Sequence, residues 1–260
     1  GGFVLSLPRG VMRTYIDDFQ LDRQSVILDP FCGTGTTLVE SRLLGIASYG
    51  VEANTFAQFA TSVKLDWEID PERLVTESGQ IAARALKTLH EQGIEDNALF
   101  AGDTGSLHLR ELAPDESKLL LTDSISPVPL HKILTLLDLI RENRASPTYR
   151  HQLLALANTL VFSASNLRFG PEGGVGRQKK DAPVISTWLL EIGKMARDLR
   201  SLPATGRPGA TALLGDARNI QELLPPGHID AVITSPPYPN EKDYTRTTRL
   251  ESVILGFINN

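Results

Sequence analysis

Apolar positions along the chain follow two rhythms. Near the N-terminus, Ser25-Val26-Ile27-Leu28 has the length and β-branched content of a buried strand and stops at the turn-rich "DPFCGTGTT". Apolar residues then recur at helical spacing over 38–44, and Gly45 stands where a left-handed residue ends a helix. Ala47-Ser48-Tyr49-Gly50-Val51 predicts a second strand, closed by Glu52. Strand, glycine turn, helix and strand make a βαβ unit with parallel strands, and 54–65 predicts another helix. From residue 71 to about 202 the rhythm changes, with long helices predicted over 72–92, 130–143, 149–167 and 184–202. Two strand-like stretches interrupt them, Ala98-Leu99-Phe100-Ala101 and Leu119-Leu120-Leu121-Thr122. Proline and glycine in "RSLPATGRPG" mark a linker. After it, 211–214 predicts a strand, 219–224 a short helix and 229–234 a strand. The pattern predicts an α/β fold whose single sheet is split along the sequence by a large, mainly helical insertion. Three regions follow, 1–70, 71–205 and 206–260.

Composition narrows the class. At 260 residues and 41% hydrophobic, the chain has enough apolar side chains for a full core. Its apolar runs are far shorter than a membrane span and its start lacks a signal-type pattern, so it is expected to be soluble and cytoplasmic. The single cysteine, Cys32, excludes an internal disulfide, and five scattered histidines lack metal-ligand spacing, so no metal is expected. A net charge of −5 argues against a uniformly basic nucleic-acid binder, yet 144–200 carries nine basic residues against four acids. That local +5 suits either a solvated helical surface or contact with phosphates. Within it, the glycine-rich "RFGPEGGVGRQKK" offers Arg168, Arg177, Lys179 and Lys180 as candidate DNA contacts.

The chemistry concentrates in three places. In Asp29-Pro30-Phe31-Cys32-Gly33-Thr34-Gly35-Thr36-Thr37, two glycines let the backbone approach a small ligand at the end of a strand. The lysine of a phosphate-binding P-loop is missing, and a purely structural turn has the same spacing. Glu52, closing the next strand about 20 residues on, stands where a carboxylate accepts hydrogen bonds from a ribose diol, as in sites for NAD or S-adenosylmethionine (SAM). Asp216 in "LLGDARN" is placed either to meet an adenine amine or to cap a helix. Finally, "ITSPPY" ends an apolar strand with two prolines, which cannot join a ladder and so make a stiff corner holding Ser235 and Tyr238.

Together, "DPFCGTGTT", Glu52 and "TSPPY" resemble the DNA amino-methyltransferases, which modify exocyclic amines of bases with SAM; the approach "GGFVLSLPRGVMRTYIDDF" is similar to the segment that precedes their cofactor loop. The resemblance covers about 3–66 and 209–257 and implies a Rossmann-like class I methyltransferase sheet. It assigns SAM binding to Asp29, Pro30, Phe31, Gly33, Gly35, Thr36, Thr37, Glu52, Asp216 and Thr234, and catalysis to Ser235, Pro236, Pro237 and Tyr238. An aromatic amine is a poor nucleophile because its lone pair is delocalised; oxygen acceptors aimed at its hydrogens favour the tetrahedral, nucleophilic nitrogen. The family's mechanism gives that task to the Ser235 side chain and the Pro236 carbonyl, with Tyr238 stacking on a base flipped out of double-stranded DNA. Serine at the first tetrapeptide position favours cytosine N4, with adenine N6, an RNA amine, or a non-catalytic binding subunit as alternatives. Lys242 and Arg246, just beyond the tyrosine, are further candidates for DNA contact. Only 22 residues follow Tyr238, fewer than the later strands of that family's sheet need. The sheet is therefore expected to be incomplete at its C-terminal side, to be completed by a second chain, a further segment or strands of the insertion.

Overall fold

The computed structural model describes residues 9–97, 108–168, 174–202, 208–237 and 248–258. The chain divides into two compact units, one of 1–67 with 202–243 and the other of 68–201 with 244–260.

The first unit is built on a parallel sheet. Its strands are β1 (Val26–Asp29), β2 (Ala47–Glu52), β5 (Ala210–Leu214) and β6 (Ala231–Val232), in the order β5-β2-β1-β6. Val26, Ile27 and Leu28 pair with Ala47, Ser48 and Tyr49 on one side of β1, and Ile27 and Leu28 pair with Ala231 and Val232 on the other. The helices α1 (Arg9–Asp18), α2 (Thr36–Leu43) and α3 (Thr55–Lys64) belong to the same unit. Met12 and Ile16 of α1 bury against Ile27, Ile46 and Ile233, and Leu38 of α2 packs with Cys32 and Leu65. Burial of such side chains contributes roughly 1.5–3 kcal/mol each. The expected stop of α2 is a Schellman turn: Gly45, at φ +83°, donates to the Arg42 carbonyl (3.2 Å) and Ile46 to that of Ser41 (2.9 Å). Asn54 starts α3 by accepting the Ala57 N–H at 3.0 Å.

The second unit is helical. It holds α4 (Pro71–Glu91), α5 (Pro114–Lys118), α6 (Pro127–Glu142), α7 (Tyr149–Thr159), α8 (Ile185–Ser201) and α10 (Arg249–Ile254); the four-residue α9 (Ile220–Leu223) lies in the first unit. Helix α4 buries Leu74, Ser78, Ile81, Ala82, Ala85 and Leu89, a stripe at helical spacing, and α8 buries Ile185, Trp188, Ile192 and Ala196. Trp188 is fully enclosed and donates its indole N–H to the Gln152 carbonyl at 3.0 Å.

Two expectations change here. Leu119–Thr122 is not a strand. Leu119 and Leu120 donate to the carbonyls of Glu116 and Ser117 as α5 unwinds into a turn, so their amides are spent locally. The other strand-like stretch, 98–101, lies outside the described residues. The helix expected over 149–167 ends at Thr159 and continues as a π-helical turn, Leu160–Ala164, before β3 (Leu167–Arg168) pairs antiparallel with β4 (Gly174–Val175). Among the described residues the insertion therefore adds no strand to the parallel sheet. No described helix is long and apolar enough to cross a membrane.

Candidate active site

Strand order locates the crevice. The chain lays β2 and β5 to one side of β1 and β6 to the other, so the winding reverses between β1 and β6. In open parallel sheets ligands bind at the carboxyl ends of the strands beside such a reversal. The segments that leave those two ends are 30–35 and 233–237.

One buried carboxylate ties them together. Asp29, 4% exposed, accepts the Thr234 hydroxyl at 2.6 Å and the Phe31 N–H at 3.1 Å, and the Thr37 side chain bonds it as well. The ladder extends this join, since Ile233 donates to the Leu28 carbonyl at 3.0 Å. Burial raises the Asp29 pKa, against the pull of the two hydroxyls and the amide. The corner that follows leaves Ser235, Pro236 and Pro237 exposed.

Glu52 closes β2 and holds the turn from the other side. Its two oxygens accept the Gly33 N–H at 2.9 Å and the Asn54 N–H at 2.7 Å. Burial raises its pKa, opposed by the amide hydrogen bonds, and the charge of Asp29 adds to the rise. Each carboxylate oxygen has further acceptor sites, so a diol can still be met. Gly33, at φ +53°, faces open space, with nothing within 4 Å of where a Cβ would stand. Gly50 serves packing instead, because a Cβ there would meet Cys32 and Leu38 at 2.7–2.8 Å. The Cys32 thiol is buried and its pKa pushed up by that burial and by Asp29 and Glu52, which makes it inert packing.

A family model described as DNA methylase matches residues 2–60. A curated protein of Geobacillus stearothermophilus, the type II methyltransferase M.BsoBI, is 25% identical over 255 residues, covering 95% of this chain and 50% of its own length. Both comparisons thus liken the chain to DNA methylases. The chain spans about half the length of that curated relative, and no solved structure matches it. Enzymes of this family use SAM as methyl donor.

The remaining expected residues fall in different settings. Pro30 is half-buried, Phe31 is 41% exposed at the turn, Thr36 is half-buried at the start of α2 and Thr37 is buried. Asp216 caps the 3₁₀ turn Ala217–Asn219 by accepting the Arg218 N–H at 2.9 Å. The Arg218 guanidinium also grips it at 2.9 and 3.0 Å, holding its pKa at about 2. The capping role is the one visible.

The expected basic contacts divide as well. Arg168, Arg177 and Lys180 are exposed around the β3–β4 hairpin. Lys179 is not a free cation, because its ammonium donates to the carbonyls of Ser163 (2.6 Å) and Ser165 (2.7 Å), where the π-helical turn leaves acceptors unmatched. Burial lowers its pKa. Tyr238, Lys242 and Arg246 lie outside the described residues. Among the described residues no cluster of metal-ligating side chains occurs.

Sequence reasoning missed two residues that shape the glycine turn, Thr61 and Lys64, both on α3. Thr61 donates its hydroxyl to the Gly33 carbonyl at 2.8 Å, and Lys64 donates to that of Thr34 at 2.8 Å. No local pattern marks them, since both meet the turn only after β2 has brought α3 back across the sheet.

Proposed function

We propose that the chain methylates the exocyclic amine of a base flipped from double-stranded DNA, cytosine N4 in particular, with SAM as donor. The observation that carries the reading is the Thr234–Asp29 hydrogen bond beside the β1–β6 pairing. It sets the glycine turn and the Ser-Pro-Pro corner side by side at the edge where the winding reverses.

The residues fit the cofactor in kind. Glu52 suits the ribose hydroxyls, the open flank of Gly33 admits ligand against bare backbone, and the exposed Phe31 ring offers an apolar face. Bound SAM supplies a sulfonium methyl carbon that a nitrogen lone pair can attack. The chain's part is to orient the amine. The Ser235 oxygen and the Pro236 carbonyl accept its two hydrogens, the lone pair is released toward the methyl, and Tyr238 stacks on the extruded ring. As the N–C bond forms, the S–C pair returns to sulfur and the nitrogen loses a proton to solvent. Holding both partners in one crevice contributes much of the acceleration.

Ser235 supports cytosine over adenine, and the likeness to a type II methyltransferase supports a place in a restriction-modification system. The test is incubation of the chain with tritiated SAM and duplex DNA of mixed sequence, followed by mass spectrometry of the nucleosides. N4-methylcytosine is expected. N6-methyladenine overturns the base assignment, and absence of label overturns the activity.

A further inference from the structure

We infer that Thr61 and Lys64 of α3 are positioning residues for cofactor binding, acting through the glycine turn; the inference rests on the reading of that turn as the SAM site. Four of its backbone groups are fixed. The Gly33 N–H goes to Glu52 and the Gly35 N–H to the Cys32 carbonyl at 2.8 Å, while the Gly33 and Thr34 carbonyls go to Thr61 and Lys64. A trans peptide sets its C=O and N–H antiparallel. Because the Gly33 carbonyl is drawn onto Thr61, the Thr34 N–H of the same peptide is turned away from α3. That amide is thereby held as a donor for an oxygen acceptor of the bound cofactor.

Thr61 also sets the shape of the turn. It is completely buried, and its side chain fills the space that a Cβ on Gly35 would need, which explains why a bare backbone at φ +84° is required there. Thr61 and Lys64 are three residues apart on one helix, so a single face of α3 grips two consecutive carbonyls. Neither side chain needs to touch the cofactor for its loss to be felt, because Thr61 sets the direction of the Thr34 amide and Lys64 fixes the next peptide of the turn, between Thr34 and Gly35.

The experiment is calorimetric titration of SAM into the wild-type chain and into Thr61→Val, Thr61→Ser and Lys64→Met, each checked for folding by thermal melting. Thr61→Val keeps the shape and removes the hydrogen bond, and is expected to weaken SAM binding about tenfold. Thr61→Ser restores the bond and should bind within about threefold of wild type, a rescue that packing alone does not give. Lys64→Met, at an exposed side chain, carries the test if Thr61→Val fails to fold, with about threefold weaker binding expected. Wild-type affinity in folded Thr61→Val, or in folded Lys64→Met, overturns the inference while leaving the cofactor reading intact. A wild-type chain that binds no SAM overturns both.

Discussion

The two units spend their buried polar groups differently. In the α/β unit, Asp29 and Glu52 stand at strand ends and bond outward to loops, with open space left beside Gly33. In the helical unit several polar groups close on one another. Glu77 collects the hydroxyls of Ser146 (2.6 Å) and Thr148 (2.5 Å), the Asn143 amide (3.3 Å) and the Arg73 guanidinium (2.7 Å). Asp96 accepts the N–H groups of Val184, Ile185 and Ser186 at the start of α8. Lys132 and Asp181, both fully enclosed, pair at 2.8 Å. His131 accepts the Arg110 N–H on Nδ1, at 3.0 Å, and meets Gln92 on Nε2, at 2.8 Å. Identical residue types thus hold a crevice in one unit and seal helix ends in the other. What separates the roles is whether open space is left beside the groups that the carboxylate holds.

Breaking a closed group should cost stability and leave ligand binding alone. Lys132→Met strands Asp181 as a buried charge, so chemical denaturation should show a loss of about 3–5 kcal/mol, with SAM affinity of the folded protein unchanged. Breaking the open group should do the reverse. Ser235→Ala, at an exposed position, should lower kcat by at least about a hundredfold in the tritium assay with an unaltered melting temperature. Thr234→Val lies between the two classes. It takes a hydroxyl from buried Asp29 and should cost about 1–3 kcal/mol, read in kcat/KM for DNA, with Thr234→Ser recovering most of it.

The smallest effect sharpens the comparison within the helical unit, where two glutamates have opposite pH signs. Although burial raises it, the hydrogen bonds from Ser146, Thr148, Arg73 and Asn143 hold the Glu77 pKa at about 2. Its folded pKa is depressed below the ordinary 4.5, so its stabilisation is present above that pH and is lost as pH falls toward 2. Glu251 in α10 is buried with Oε2 unpartnered, and burial pushes its pKa up to about 7. The folded state therefore favours its proton, and stability declines as pH rises from 4.5 to 7. Melting curves should show Glu251→Gln more stable than wild type at pH 8 and equal to it at pH 4, whereas Glu77→Gln should be less stable at pH 8.

Local contacts made much of this legible beforehand. The Gly45 stop lies within a few residues of its partners, the βαβ unit pairs strands only one helix apart, and the acid closing β2 announced itself by its spacing from the glycines. Contacts closed by distant segments left no trace. Thr61 and Lys64 lie 28 and 30 residues from the carbonyls they hold, and Asp96 caps a helix 88 residues away. Lys179 shows the same failure in reverse, because its charge was readable and the two carbonyls that engage it were not. The stretch 119–122 had the apolar run of a strand, but the amides of Leu119 and Leu120 went to α5 instead. Residues 248–258, grouped by motif with the catalytic strand, fall in the helical unit, where Leu250, Val253 and Ile254 are buried.

The central claim is that the glycine turn and the corner after β6 line one crevice. A crystal structure with S-adenosylhomocysteine tests it most directly. The account predicts the ribose on Glu52, the backbone of Gly33 against the ligand, and the sulfur directed toward Ser235. A ligand bound away from either loop, or one whose sulfur points away from Ser235, contradicts it.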